Sequence, residues 1–579
     1  MKTRSILLFL LLSVFLAAQA KPVSEKQARE IGAKFLNGTM KMPTLDADAL
    51  RLVKTYRCAT GEEAFFVFNT ETGFVIVAAD DLATPIIGYS TEGPLVVEDI
   101  PVQLQDYLNG FLRQIEYGRA NGLTADETIA AQWDCVRTTG KPRANRSKGP
   151  QFPLLKENWN QGSPYNRYCP EDPMGPGQHV YAGCVATAMA QIMHYWRYPE
   201  HGQGSHSYTP YYHPEDGVQF VDFSAATYHW DQMPNSLSLE SSEEEIDAVA
   251  TLIYHCGVSV NMMYDPASSG AFYFDVPLAL VNYFNYPDDL KLIQRGDDSL
   301  WMANLKACLD AYRPVFYAGQ SATSGHAFVC DGYDQHDLLH FNWGWGGYGD
   351  GYFALNNIAF SDANVAIVNI HGPFDPDHTC QVSVSLNAAN VGVVSGDGTH
   401  LYGDLCTLTA QAFDGCKFRA WFEDGVIVSQ DPEYTFMVVG DRHLEAFFDG
   451  EWSAQVEAAC IDDPTQHTQS AVVSWVNGPP VSGDIHDEWP LLKSFSGVKT
   501  SDFSADSQFI LGSRCAELEG AALSDGGLSR PPIPLRPFRL SVFVYAKYPA
   551  RPAAWWRHRR YAPLGPSHEF IGRSHKLAP

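Results

Sequence analysis

The sequence contains no Cys-x-x-Cys pair and no His-Glu-x-x-His motif, although it carries 12 cysteines and 19 histidines. The common zinc sites, structural and peptidolytic, are thereby excluded, and no metal or cofactor is expected. Twelve cysteines among 579 residues is also too sparse for a disulfide scaffold. Cys406 and Cys416 are placed to meet across neighbouring strands, either as a bridge or as two free thiols. Past the N-terminus no apolar run is long enough to span a bilayer, so the mature product is expected to be soluble. Positive charge is scarce as well. Forty basic residues stand against 67 acidic ones, a formal net charge of −27, which argues against binding to a phosphate backbone and so against a nucleic-acid partner.

What is present divides along the chain, whose length suggests three or four units. Met1-Lys2-Thr3-Arg4, an apolar core from Ile6 to Ala17 and Ala18-Gln19-Ala20 meet the charge, core and small-residue requirements of a secretory signal cleaved after Ala20. Ser24 to Gln27 resembles a capping box opening a helix that carries Ala28, Ile31 and Phe35 on one face. Strand-like runs follow at 64–68, 73–78 and 85–89, and a helix is expected from Val102 to Tyr117; together they make a small α+β unit of its own. Arg137, Lys141, Arg143, Arg146 and Lys148 lie in a basic stretch that reads as an exposed linker or a processing site. Residues from about 151 to 372 are rich in Trp, Tyr and Gly. From Val382 to Phe448 short Val/Leu/Thr runs alternate with turns such as Gly396-Asp397-Gly398, the pattern of a small antiparallel β module. Beyond about 480 the periodicity is lost and the charge sign flips, in a Pro- and Arg-rich tail that reads as irregular, whether a basic binding segment or the product of a shifted reading frame.

Chemistry concentrates in the middle. Gly183-Cys184 opens a helical stretch in which Val185, Met189, Ile192 and Trp196 recur at helical spacing before Tyr198-Pro199 ends it. A cysteine in a helix's first turn is favoured as thiolate by the N-terminal amides, and a nearby imidazolium adds to that. Far downstream, Gly325-His326-Ala327-Phe328-Val329 places a histidine at the start of an apolar strand, where a general base is held rather than free. Upstream, the turn-rich loop Trp159 to Asn166 carries Gln161, whose side-chain amide and the Cys184 backbone N–H would supply two oxyanion donors. His340-Phe341-Asn342-Trp343-Gly344-Trp345-Gly346-Gly347 offers an amide and two indoles to orient and shield the imidazole. The formal Gly-x-Gly-x-x-Gly at 344–349 has no βαβ unit around it and is not a nucleotide loop. His179, His194, His201 and His206 match no ligand spacing and read as surface histidines, with His194 on the polar side of its helix.

Taken together, Trp159 to Asn166, the segment Gly183 to Met193, Gly325-His326-Ala327 and Asn342 to Gly347 resemble the streptopain family of secreted bacterial cysteine peptidases, four motifs in the family's order. The resemblance runs from about 21 to 372. It implies an α+β fold: a papain-like peptidase domain preceded by a small α+β propeptide and followed by a small all-β module. The corresponding boundaries are 1–20 for the signal peptide, 21–147 for the propeptide, 148–375 for the peptidase domain, 380–450 for the β module and 451–579 for a linker and irregular basic tail. It further implies Cys184 as nucleophile, His326 as its acid-base partner and Gln161 as oxyanion donor. Either Asn342, as in papain-like enzymes generally, or the adjacent Trp343 orients the histidine. Maturation is expected near 143–150, and Met263 to Ala271 stands for the family's Gly/Ser-rich cleft loop. Residues 390–448 resemble small β repeats of bacterial surface proteins. The expected activity is that of a secreted or cell-surface cysteine endopeptidase made as a zymogen, acting on protein or peptide substrates and restrained by its own propeptide. The rival readings are a papain-like acyl transferase or amidase, and a non-catalytic adhesion protein.

Overall fold

The computed structural model describes residues 21–39, 45–98, 100–139, 153–211, 213–321, 324–355, 363–373, 377–388 and 391–450, with short strand segments between 453 and 543. The signal peptide, the basic residues Lys141 to Lys148 and most of the tail lie outside the described residues. The described residues pack into two compact units. One holds those up to Ser385 together with Val394–Ala410 and Ala420–Ala446; the other holds Leu386–Val393, Gln411–Arg419 and the segments from Phe447 onward.

The first unit opens with α1 (Glu25–Thr39), where Ser24 and Gln27 exchange capping-box bonds and Ala28, Ile31 and Phe35 are buried. Strands β1 (Arg51–Arg57), β2 (Glu63–Asn69), β3 (Phe74–Ala78) and β4 (Ile86–Ser90) follow as an antiparallel meander, covered by α2 (Val102–Ala120). Two elements here escaped the sequence pattern. β1 is only half-buried and reads as polar, and α3 (Glu127–Thr139) puts Arg137, expected in the linker, over the Trp133 ring at 4.9 Å. That cation-π contact, with Trp133 buried, favours helix where the local charge suggested loop.

The helix α4 (Cys184–Trp196) packs between α5 (Glu243–Ser259) and the long strands that follow. After a short hairpin, β5 (Ser205–Tyr208) with β6 (Gln219–Asp222), and after α6 (Val276–Phe284), come β7 (Lys291–Gln294), α7 (Asp298–Asp310), β8 (Val315–Gln320), β9 (Gly325–Tyr333), β10 (Leu339–Asn342), β11 (Gly351–Phe353) and β12 (Ala363–Val368). The N-terminal meander is not a sheet of its own, as the sequence suggested. The order is β1-β2-β3-β4-β11-β10-β9-β8-β12-β7, ten strands in one sheet, because β4 offers a free edge on which Tyr89 pairs with Tyr352 and Gly88 with Phe353. Any side chain at Gly88 would meet the Phe353 ring at 2.6 Å, so the junction requires glycine there.

The β module appears as expected. Thr379–Val382 pairs with Gly398–Leu401, and Leu405–Thr409 with Glu433–Met437, all antiparallel. Cys406 is buried, Cys416 is half-buried, and neither is in a disulfide. In the second unit, Ser453–Ala458 lies between Ser474–Val476 and Phe538–Phe543. The last of these alternates apolar and polar residues, a short strand pattern inside a region that reads as irregular.

Candidate active site

Gly183 caps α4 with φ +91, and a side chain there would strike Met262 Sδ at 2.6 Å and approach the Ser269 carbonyl at 3.3 Å. The loop 263–271, closed by a Met263–Gly270 bridge and the Ser269 hydroxyl accepting from the Asp265 amide at 2.9 Å, therefore lies against the first turn carrying Cys184. On the other side the Gln161 carbonyl accepts from the Ala182 amide at 2.9 Å, which ties the Trp159–Asn166 loop to the same turn. The Gln161 side-chain amide donates to the Gly344 carbonyl at 3.4 Å, a long bond that is easily exchanged for a better acceptor.

Cys184 is half-buried, and the nearby backbone amides of Ala327, Val185 and Cys184 itself favour its thiolate. Ala327 is the residue after His326, so the start of α4 lies against the start of β9, the strand that carries the histidine. Burial nevertheless pushes the thiol pKa up, and those amides offset it only in part. His326 is 4% exposed, and burial pushes its pKa down to about 4 against the support of its bond to Trp343. The helix-terminus argument for a thiolate is thus outweighed here: desolvation favours the neutral thiol and the neutral imidazole.

The Nε2 of His326 lies 2.8 Å from the Trp343 carbonyl oxygen. A carbonyl only accepts, so Nε2 carries the proton and Nδ1 is left as the basic nitrogen. The ring stacks on Trp345 at 4.6 Å, and Trp345 on Trp343 at 5.4 Å. Asn342, the other candidate for orienting the imidazole, is committed elsewhere. Its Nδ2 donates to the Glu157 carbonyl at 2.7 Å, and its Oδ1 accepts from Gln191 Nε2 at 2.9 Å and the Gly344 amide at 3.0 Å. The contact with His326 is made by the main chain of Trp343.

Two residues around this strip were not singled out in the sequence. The buried Asp350 accepts from the Trp343 amide at 2.8 Å, and burial raises its pKa well above the carboxylate range. Gln191 is fully buried on α4, and with Cys184 and Thr187 it repeats at helical spacing along one face, a signal that was there to be read. His194 is not a surface histidine. It is half-buried, bonded to the Glu157 carboxylate and to the Met233 carbonyl, and packed on Trp159 at 5.0 Å. His179 and His206 are half-buried and bonded to the Cys169 carbonyl and Asn261; His201 is exposed. A cavity of about 770 Å3 lined by Lys156, His194, Trp230, Glu423 and Arg442 touches neither Cys184 nor His326 and is no part of this site.

Residues of the N-terminal segment reach the same strip. Tyr107 on α2 stands edge-on to Trp343 at 5.8 Å, and Leu104 comes within 3.1 Å of where a Gly349 side chain would begin. Ser324, two residues before His326, donates to Asp106 at 3.2 Å, and the Tyr348 hydroxyl donates to the Val96 carbonyl at 2.5 Å.

Residues 159–353 match the Peptidase C10 family, 20–115 the Spi protease inhibitor family and 382–451 the divergent InlB B-repeat domain. The chain is 32% identical over 369 residues to streptopain of Streptococcus pyogenes serotype M1, covering 60% of this chain and 88% of streptopain. It is 35% identical over 350 residues to the thiol protease/hemagglutinin PrtT of Porphyromonas gingivalis, covering 58% of this chain but only 39% of PrtT. A solved structure of a Prevotella intermedia prointerpain A fragment is 31% identical, with TM-score 0.44, covering 56% of this chain and 99% of the fragment. Covering most of streptopain and carrying both the inhibitor-like segment and the peptidase segment in order, the chain belongs to the Peptidase C10 family of streptopain-like cysteine peptidases.

Proposed function

We propose that the chain is a secreted cysteine endopeptidase synthesised as a latent precursor, with Cys184 as nucleophile, His326 as general base and acid, and Gln161 with the Cys184 amide as oxyanion donors. The observation that carries the reading is the His326 geometry: Nε2–H held by the Trp343 carbonyl leaves Nδ1 as the basic nitrogen beside the Cys184 turn. In the reaction Nδ1 takes the thiol proton, the thiolate attacks a peptide carbonyl, and the developing oxyanion receives the Cys184 N–H and the Gln161 amide as the latter leaves Gly344. His326 returns the proton to the leaving amine, and water hydrolyses the thioester. No group beyond the protein is called on, although the thiol has to be kept from oxidation.

Latency follows from the same residues. The N-terminal segment, taken as the propeptide 21–147, extends the peptidase sheet and lays Tyr107 and Leu104 against the Trp343–Gly349 strip, while burial holds the pair neutral. Cleavage within the basic stretch near 143–150 would free that strip. The β module serves as a spacer or an adhesive element, and the product is released or held at the cell surface. To test the reading, the full chain and its Cys184→Ala variant are incubated with casein under reducing conditions while precursor mass is followed. Wild type is expected to shorten near residue 145 and to digest casein, and Cys184→Ala to do neither. Amine incorporation without peptide cleavage would instead favour an acyl transferase.

A further inference from the structure

The contact that fixes His326 comes from a main-chain carbonyl, and a carbonyl is only as well placed as its peptide plane. The Trp343 C=O and the Gly344 N–H belong to one planar trans peptide, so the two groups point to opposite sides. Holding the N–H therefore aims the C=O. The holder is Asn342 Oδ1, at 3.0 Å from the Gly344 amide. That oxygen is itself held by Gln191 Nε2 at 2.9 Å, while the second amide proton of Gln191 reaches the Glu157 carbonyl at 3.3 Å. Gly344 sits at φ +70, where side chains are strained, with Thr187 Cγ2 only 3.2 Å from the position a Cβ would take, so α4 abuts this peptide directly.

We propose that Gln191 is a positioning residue for the peptidase reaction: from the helix that bears Cys184 it pins Asn342, and through Asn342 the Trp343–Gly344 peptide whose carbonyl holds the proton on His326 Nε2. One helix thus sets the nucleophile and, seven residues on, the tautomer of its base. The state of the amide argues for this role over packing. Gln191 is fully buried, yet its Oε1 has no hydrogen-bond partner among the described residues. A buried polar atom left unpaired costs stability that an apolar residue of the same length would not, so the side chain earns its place through its two donors. The role presupposes the cysteine-peptidase reading and is tested so that the two fail separately.

The experiment uses the full chain, self-processed under reducing conditions, as wild type, Gln191→Met and Gln191→Glu, with kcat and KM measured on a peptide substrate from pH 5 to 8. Methionine keeps length and volume but donates nothing. Its kcat is expected to fall about 10- to 100-fold with KM within about twofold, the size of loss that small misplacements of a catalytic group produce. Glutamate gives a sharper signature. The introduced buried carboxyl donates an O–H to Asn342 Oδ1 only while protonated, so this variant is expected to be active at the acid end and to lose kcat relative to wild type as the pH rises toward neutrality. If Gln191→Met does not fold, the pH profile of Gln191→Glu decides alone. Wild-type kcat in Gln191→Met, or a wild-type pH profile in Gln191→Glu, overturns the proposal. A folded wild-type chain that neither processes itself nor cleaves peptides overturns the peptidase reading beneath it, and the proposal with it.

Discussion

Tyr107 is the residue through which the latency argument is most exposed to test. It is 4% exposed, its ring stands edge-on to both Trp343 and Phe353 at 5.8 Å, and its hydroxyl donates to the Ala354 carbonyl at 2.5 Å. Tyr107→Phe removes only the donor and leaves a buried carbonyl short of a partner, a cost of about 1–2 kcal/mol. Tyr107→Ala also empties the ring site, a loss of about 3–5 kcal/mol by analogy with other large buried aromatics. If docking of α2 covers Cys184, these losses bias the equilibrium toward the opened precursor by about 10-fold and by about 100-fold or more, at about 1.4 kcal/mol for each factor of ten. The assay is alkylation of Cys184 by iodoacetamide in full-length precursors carrying His326→Ala, which removes self-processing, with site occupancy read by peptide mass. Labelling is expected to accelerate by those factors. Enzyme matured from either Tyr107 variant in the unmodified His326 background should match wild type, because Tyr107 leaves with the propeptide. A Tyr107→Ala precursor that melts earlier than wild type yet labels at the wild-type rate would refute the reasoning: α2 would then support the fold without covering the thiol.

The remaining expectations concern charge. Burial lowers His326 to about 4 against about 6.5 in an unfolded chain, so folding excludes a proton that the unfolded chain binds. Precursor stability should therefore fall as the pH drops from about 6.5 toward 4, and the His326 ring resonance in Cys184→Ala precursor should titrate near the lower value, whereas titration near 6.5 would contradict the burial argument. Glu423 accepts from Arg442 Nε at 3.0 Å and lies 2.5 Å from Lys156 Nζ. Burial opposes its ionisation, yet the two cations hold its carboxyl down at about 2. Its contribution is in place above the usual carboxylate range, near 4.3, and lost as the pH falls through that window toward 2. Glu423→Gln leaves both cations buried without their anion and should cost about 3–5 kcal/mol at pH 7, read as a lowered denaturation midpoint of the Cys184→Ala precursor. Gln161→Ala should reduce kcat by about 100-fold or more while leaving alkylation of the matured thiol unchanged, because it acts on the oxyanion and not on the sulfur.

Much of the candidate site is legible in the sequence where side chains would carry the chemistry. Cys184 stands at a helix start marked by a glycine and an apolar 3.6-residue repeat, and His326 at the start of an apolar strand. Gln161 lies in a loop rich in turn residues, whose main chain meets the Cys184 turn. The helix α3 was obscured because its basic residue reads as linker until Trp133 is seen beneath it. His194 looks polar on a helical projection because Glu157, the partner that allows its burial, lies 37 residues earlier. The joining of β4 to β11 leaves no mark in either segment, since strand pairing uses backbone groups that every residue has. The choice between Asn342 and Trp343 stays open in the sequence for the same reason: the group that meets His326 is a main-chain carbonyl, and no side-chain inventory contains it.

Latency and activity share one architecture. Burial raises the thiol and lowers the imidazole, and both shifts oppose a thiolate–imidazolium pair, so the ion pair requires the strip around Trp343 to lose apolar cover or to gain water. Part of that cover, Tyr107 and Leu104, belongs to the N-terminal segment, and so does β4. On the proposed maturation, removing that segment relieves the desolvation and uncovers a sheet edge at the same time. The edge is β11, only three residues long, so few backbone groups lose their partners and the exposed strand is a poor template for pairing with another chain. The tautomer of His326 is set from within the peptidase, by the peptide that Asn342 and Gln191 hold, and none of these groups belongs to the N-terminal segment. The precursor can thus carry a fully aligned base that is merely kept dry.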